Sequence, residues 1–197
     1  MKHAAIGFRV HSGWAAMVAV SLEDGVPVVL YRRKLLLVKT FSYTFRQPYH
    51  TAEKMPLGDA AEFVRGVEQE SRGLALSGLR ALEKELESVR YKVRRCALLL
   101  ASGRKLPEFE RILASHALIH TADGELFRES IRHACTRAKL PLAAITEREL
   151  MASAATRLKK KPEFLNRQVA ALGKSLGPPW TQDEKLATLA AWLTLAS

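Results

Sequence analysis

Ala4-Ala5-Ile6-Gly7-Phe8-Arg9-Val10, then His11-Ser12-Gly13, then Trp14-Ala15-Ala16-Met17-Val18-Ala19-Val20 is the stretch whose reading decides the fold. Both arms are short apolar runs rich in strand formers, and the three residues between them favour a turn, so the segment reads as a β-hairpin. A third run, Val26 to Val38, follows Asp24-Gly25, a strong short-range hairpin signal. The chain is therefore expected to open with a three-stranded antiparallel meander. Its first twenty-two residues contain neither Asp nor Glu.

Beyond the meander the pattern changes to helices alternating with short strands. Lys39 to Pro56 sets Phe41, Tyr43, Phe45 and Tyr49 among Lys39, Arg46 and His50. Aromatics interleaved with cations suit base stacking. The period-2 spacing of Phe41, Tyr43 and Phe45 favours instead an extended segment packing one face on a sheet. Asp59 is placed to cap a helical region running to about Val89, with Phe63, Val67, Leu74, Leu82, Leu86 and Val89 facing inward. Gly66, Gly73 and Gly78 weaken its middle, which admits two shorter helices. Cys96 to Ala101 is wholly apolar, ends at Ser102-Gly103, and reads as a central strand buried on both faces. Pro107 starts a helix from Glu108 to about His116, and another runs from about Asp123 to Lys139. Pro141 stops that helix before the strand Leu142–Thr146. Short connections between such elements imply parallel strands joined by crossover helices. The last third, from Glu147, reads as helical with breaks at Lys161-Pro162 and Gly177-Pro178-Pro179.

The 197 residues suit one domain with a full core, and 48% hydrophobic with 26% charged residues is an ordinary globular balance. No apolar run approaches the roughly 18–20 residues of a membrane span, and Met1-Lys2-His3 leads straight into a strand without the pattern of an export signal. The expected location is cytoplasmic. Cys96 and Cys135 offer no disulfide framework or metal motif and are expected to be buried thiols. Thirty-one Lys and Arg against twenty acids give a net charge of +11. The cations cluster at 31–34, 90–95, 104–105 and 157–161. Such a balance favours polyanion partners, since each neutralised phosphate releases counterions; it also suits a merely solvated basic surface.

Few motifs carry chemistry. Ser12 and His11 are neighbours on an extended segment, so their side chains point apart and form no nucleophile pair. No phosphate-binding P-loop is present. His116 and His120 are four apart, a spacing that suits two zinc ligands on one helix face, but Thr121-Ala122-Asp123-Gly124 is expected to interrupt the helix. Structural or surface roles are the expectation for both histidines. Thr181-Gln182-Asp183-Glu184 fits a capping box, with Thr181 as cap and Glu184 reaching back to its amide.

The order of elements resembles that of the ribonuclease H-like superfamily, and its details are similar to the RuvC-type Holliday-junction resolvases. Gly7-Phe8-Arg9-Val10-His11-Ser12-Gly13 resembles their first strand and turn, and Leu79 to Leu86 leading into Cys96-Ala97-Leu98-Leu99 resembles their helix and second catalytic strand. Ala134 to Ile145 is similar to their later helix, Leu-Pro junction and strand. Arg167-Gln168-Val169-Ala170-Ala171-Leu172, Pro178-Pro179-Trp180 and Asp183 to Ala190 match their closing stretch. The resemblance implies an α/β fold: one ribonuclease H-like domain over 1–197, an antiparallel meander plus parallel strands in one mixed sheet flanked by helices.

In that family, carboxylates hold two Mg²⁺ ions about 4 Å apart for phosphodiester cleavage. Here Arg9 stands in place of the first-strand aspartate, and Cys96 to Ala101 offers no acid for the family's glutamate. The two aspartates of the last helix reduce to Asp183, followed three positions later by Leu186, and Glu184, followed by Ala187. The expectation is a domain without catalytic residues or a resident cofactor, binding DNA or RNA through a basic face that includes Arg9, Arg32, Arg33, Arg94 and Arg104. One alternative is a divergent endonuclease using Mg²⁺ or Mn²⁺ on Asp183, Glu184 and Glu108. Another is a protein-interaction scaffold. The family's habit of forming homodimers extends to either binding reading.

Overall fold

The computed structural model describes residues 1–101 and 105–196. Strands β1 (Lys2–His11), β2 (Trp14–Glu23) and β3 (Val26–Leu36) form the expected antiparallel meander. Its second turn places Asp24 and Gly25 at φ 50° and 78°, the left-handed pair that a two-residue hairpin demands. Strands β4 (Tyr91–Leu100) and β5 (Leu142–Thr146) run parallel to β1, giving one five-stranded sheet in the order β3-β2-β1-β4-β5.

Alternation along β1 sorts its side chains between two cores. Ile6, Phe8 and Val10 face helices α3 (Leu57–Ser88) and α5 (His116–Arg137), where Val64, Leu79, Leu82, Phe127 and Ile131 bury them. Each fully buried side chain of this size contributes about 1.5–3 kcal/mol. Ala5 faces the other way with Val18, Val20, Ala97 and Leu99. That side is covered by α6 (Glu147–Leu158), α7 (Pro162–Leu176) and α8 (Gln182–Leu195). Cys96 faces the first core and Ala97 the second, so β4 is buried on both faces from Cys96 to Leu99, as its apolar run implied; the strand also extends back to Tyr91, before that run, through the exposed Lys92 and Arg94. Both cysteines are buried free thiols. No helix among the described residues is long and apolar enough to cross a membrane.

Several expectations are corrected. The segment after β3 is not extended: it folds into two short helices, α1 (Tyr43–Arg46) and α2 (Pro48–Ala52). Phe45 packs toward Phe63 at 6.1 Å between centroids, while Phe41 and Tyr43 remain 42% and 62% exposed. Alternation over three aromatics mimicked a strand, but Pro48 at the start of a helix set the local geometry.

Helix α3 is a single element of 32 residues, with Pro56 rather than Asp59 at its N-cap and Val89 exposed beyond its end. Gly66 and Gly73 look into open space, so their weak propensity is overridden by the opposite face, where Ala60, Val64, Val67, Ser71, Ala75, Leu79, Leu82 and Leu86 are buried. Helix α4 (Phe109–Leu113) is shorter than expected, and α5 begins at His116. Thr121 to Gly124 do not interrupt α5, because Asp123 turns inward to accept hydrogen bonds from α2.

Candidate site at the strand ends

On the α8 side of β1, Gly7 is followed at period 2 by Arg9 and His11. A Cβ at Gly7 would lie 1.9 Å from the Ala187 carbonyl oxygen, so α8 rests directly on the β1 backbone there. One helical turn back from Ala187 is Asp183, which meets Arg9. Gly7 thus sets the height of α8, and the helix register delivers its first-turn acid to the strand end. Glu147 arrives from elsewhere: it opens α6 directly after β5. These groups gather at the carboxyl ends of the parallel strands, where open α/β sheets place their sites.

Arg9 lies between the two acids. Its Nε and Nη2 donate to the two Glu147 carboxylate oxygens at 2.9 and 3.0 Å, a bidentate fork, and its Nη1 donates to Asp183 Oδ1. His11 Nε2 donates to the same Asp183 oxygen at 2.8 Å, since a carboxylate oxygen only accepts. Leu99 is buried on β4, on the same face of the sheet.

The hydrogen bonds that Arg9 donates to Glu147 chiefly raise the Arg9 pKa, against a desolvation that lowers it. For Asp183, burial raises the pKa, but the bonds from His11 and Arg9 and their charges outweigh it and hold the carboxyl below its ordinary value. A depressed carboxyl stabilises the fold above its unfolded value, near pH 4, and that contribution is lost as pH falls through the lower folded value. Thermal melts taken at falling pH should therefore show a steeper acid limb below about pH 4 in the native chain than in Asp183→Asn. Equal slopes would rule out an ionic hold on Asp183.

The anticipated site residues do not form one patch. Arg32 directs its guanidinium to the carbonyls of Leu176, Gly177, Pro178 and Pro179, clamping the turn between α7 and α8. Arg33 faces the other side of the sheet, 3.9 Å from Glu85 and over the Tyr31 ring. Arg94 sits exposed at a bulge opposite Ala4 and Ala5, toward the far end of β1 from Arg9. Arg104 lies outside the described residues.

Nor do Asp183, Glu184 and Glu108 converge. Glu184 folds back onto Thr181, accepting from its backbone N–H at 2.8 Å and its hydroxyl at 2.7 Å in the expected capping box. Glu108 lines a separate concavity with Leu57, Gly58 and Ala61 at the start of α3.

Glu147 and His11 were missed from sequence. His11 carried a signal: it is two residues from Arg9 on one strand and so shares its face. Glu147 carried a fainter one, an acid immediately after a parallel strand.

From His11 a run of rings and cations leads outward. The His11 and Trp14 rings stack at 4.5 Å, and Lys34 Nζ lies 4.5 Å from the Trp14 ring and 4.6 Å from Phe41. The Arg46 guanidinium covers Phe41 at 4.4 Å, while its Nε donates to the Ser12 carbonyl at 3.1 Å. Gly13, at φ 81°, lets that side chain pass, since a Cβ there would be 2.7 Å from Arg46 Cγ.

The fold is similar to that of Thermus thermophilus RuvC, with a TM-score of 0.55 at 13% identity, covering 98% of this chain and 93% of the other. T. thermophilus RuvC in complex with a Holliday junction substrate gives 0.53 at 12% identity, with the same coverage of both chains. No family model matches the sequence, and no curated protein matches it. The chain thus has the RuvC-type, ribonuclease H-like fold that the resemblance implied.

A divergent endonuclease, the alternative read from the sequence, would need Mg²⁺ or Mn²⁺ at the strand ends. Hard divalent ions take oxygen ligands, several of which must converge to hold a pair. The two carboxylates that meet here are both engaged by a guanidinium lying between them. The donor set does not fit a metal pair.

Proposed function

We propose that this chain is a RuvC-like domain that binds nucleic acid without cleaving it. The observation that carries the proposal is Arg9 bridging Glu147 and Asp183: a fixed internal cation takes the place in which cleavage would need exchangeable ones. Glu147 and Asp183 then serve as structural counter-charges, fastening α6 and α8 to β1.

Binding is assigned to the adjacent surface of Trp14, Lys34, Phe41 and Arg46. Phe41 is exposed and Trp14 partly buried, and rings alternating with cations can stack on unpaired bases while neutralising the phosphates beside them. The net charge of +11 favours the same class of partner. A junction-bound relative of the same fold makes branched DNA the first substrate to try.

Fluorescence anisotropy on a labelled four-way junction, duplex, single strand and RNA tests the reading. Affinity should fall steeply with salt, and Lys34→Ala should reduce the salt slope by about 1. Phe41→Ala should weaken single-strand binding by about 1–3 kcal/mol, roughly 5- to 150-fold. Absence of binding to every probe at low salt would remove the nucleic-acid reading and leave the scaffold. Mn²⁺-dependent cleavage abolished by Asp183→Ala would remove the non-cleaving one. A size measurement with and without DNA reads whether the bound form is the dimer the family implies.

A further inference from the structure

His50, His116 and His120 meet on the α2–α5 side of the domain, among residues that the strand-end site does not use. His50 lies on α2 and is 9% exposed; His116 and His120 occupy the first turns of α5, four residues apart and outward-facing. Their ring centroids are 4.4 to 5.2 Å apart, and the rings stand at 68° to 88° to one another. The Nε2 atoms of His116 and His120 are 3.1 Å apart, and one ligand nitrogen from each of the three rings lies within 4.8 Å of the others.

The third ring is oriented from behind. His50 Nδ1 donates to Asp123 Oδ2 at 2.5 Å, and Asp123 Oδ1 accepts the Tyr49 backbone N–H at 2.7 Å. Asp123 is buried, so its carboxylate is a fixed partner rather than a solvated one. With Nδ1 engaged as donor, the lone pair that His50 keeps for a ligand is that of Nε2. A carboxylate–histidine relay of this kind fixes the tautomer of a metal-binding imidazole and raises its basicity.

We propose that His50, His116 and His120 form a binding site for a divalent transition metal of the Zn²⁺ class, with Asp123 as the residue that positions His50. Three imidazole nitrogens suit Zn²⁺ and its neighbours, whereas Mg²⁺ and Ca²⁺ take oxygen ligands. At Zn–N distances of about 2.0–2.1 Å, tetrahedral ligands stand roughly 3.4 Å apart, close to the His116–His120 spacing. Two exposed ligands leave the fourth position to water. Bound metal would fasten α2, on the connection between β3 and α3, to the start of α5.

The test is calorimetric titration of ZnCl₂ into the full chain, free of any affinity tag and stripped with EDTA. One Zn²⁺ per chain is expected. His116 and His120 are exposed, so the double variant His116→Gln/His120→Gln should fold normally by circular dichroism and lose the site. Asp123→Asn should weaken Zn²⁺ binding about 10- to 100-fold while keeping the stoichiometry. Zn²⁺ at about 100 times its Kd should raise the Tm of the native chain by about 5–10 °C and leave that of the double variant unchanged. No bound Zn²⁺ in the native chain, or the same binding in the double variant, would overturn the site. Unaltered affinity in Asp123→Asn would overturn the positioning role alone.

Discussion

Replacing Arg9 with aspartate is expected to lower the Tm by about 4–8 °C in the presence of EDTA, and Mn²⁺ is expected to restore much of the loss. In the native chain one guanidinium satisfies Glu147 through a bidentate fork and Asp183 through a third bond. Removing one partner of a fully buried ion pair costs about 3–5 kcal/mol because the remaining charge stays desolvated. The Glu147 side chain is 37% exposed, so water screens part of that penalty and about 2 kcal/mol is the better figure.

Arg9→Asp also adds a third carboxylate facing the other two, a repulsion that a divalent cation relieves. Arg9→Ala is the control: it removes the guanidinium without adding an oxygen ligand, so its recovery with Mn²⁺ should be smaller. Differential scanning fluorimetry of the three proteins in EDTA and in Mn²⁺ decides the matter. If Mn²⁺ moves all three melts alike, Arg9 is not what keeps cations from the strand ends.

Gly7→Ala should be at least as damaging, although it adds one methyl group. The new Cβ would meet the Ala187 carbonyl at 1.9 Å from oxygen and 2.8 Å from carbon. Both are backbone atoms, so no rotamer change relieves the clash, and α8 must lift from the sheet. That helix brings Ala187, Ala190 and Ala191 into the core beside Ala5, Val18 and Leu99, so lifting it loosens the whole layer.

Overpacking of this kind costs about 3 kcal/mol or more, which lowers Tm by roughly 6–12 °C in a chain of this size. It also draws Asp183, one turn before Ala187, away from Arg9. Gly66→Ala gives the opposite sign, because that glycine faces open space inside α3. Restoring helix propensity there should stabilise by up to about 1 kcal/mol. A Gly7→Ala melt within a degree or two of the native one would mean that α8 does not press on β1.

What is legible in the sequence depends on how far apart the cooperating residues lie. The meander was legible because each of its signals is local: alternating apolar residues, Ser12-Gly13, and Asp24-Gly25. The second half of β4 and all of β5 were legible because Cys96 to Ala101 and Leu142 to Thr146 are short, largely apolar runs between helical patterns. The capping box at Thr181 and Glu184 spans four residues and was read correctly. Phe41, Tyr43 and Phe45 misled, since three alternate aromatics fit a strand and also fit a short helix exposed at one end. The helix through Thr121 to Gly124 misled for another reason: Asp123, a helix breaker by local preference, is held inside α5 by Tyr49 and His50, more than seventy residues earlier.

The sequence by itself determined the class of fold and the absence of an acid at position 9, because both are written in residue type and short-range period. Only the tertiary structure decided what Arg9 does. Its partners lie 138 and 174 positions away, and no local pattern couples them. They meet because Gly7 admits α8 to the sheet and β5 ends beside the same edge. A cation that reads from sequence as a free anion-binding group is, in the folded chain, already bound to two carboxylates.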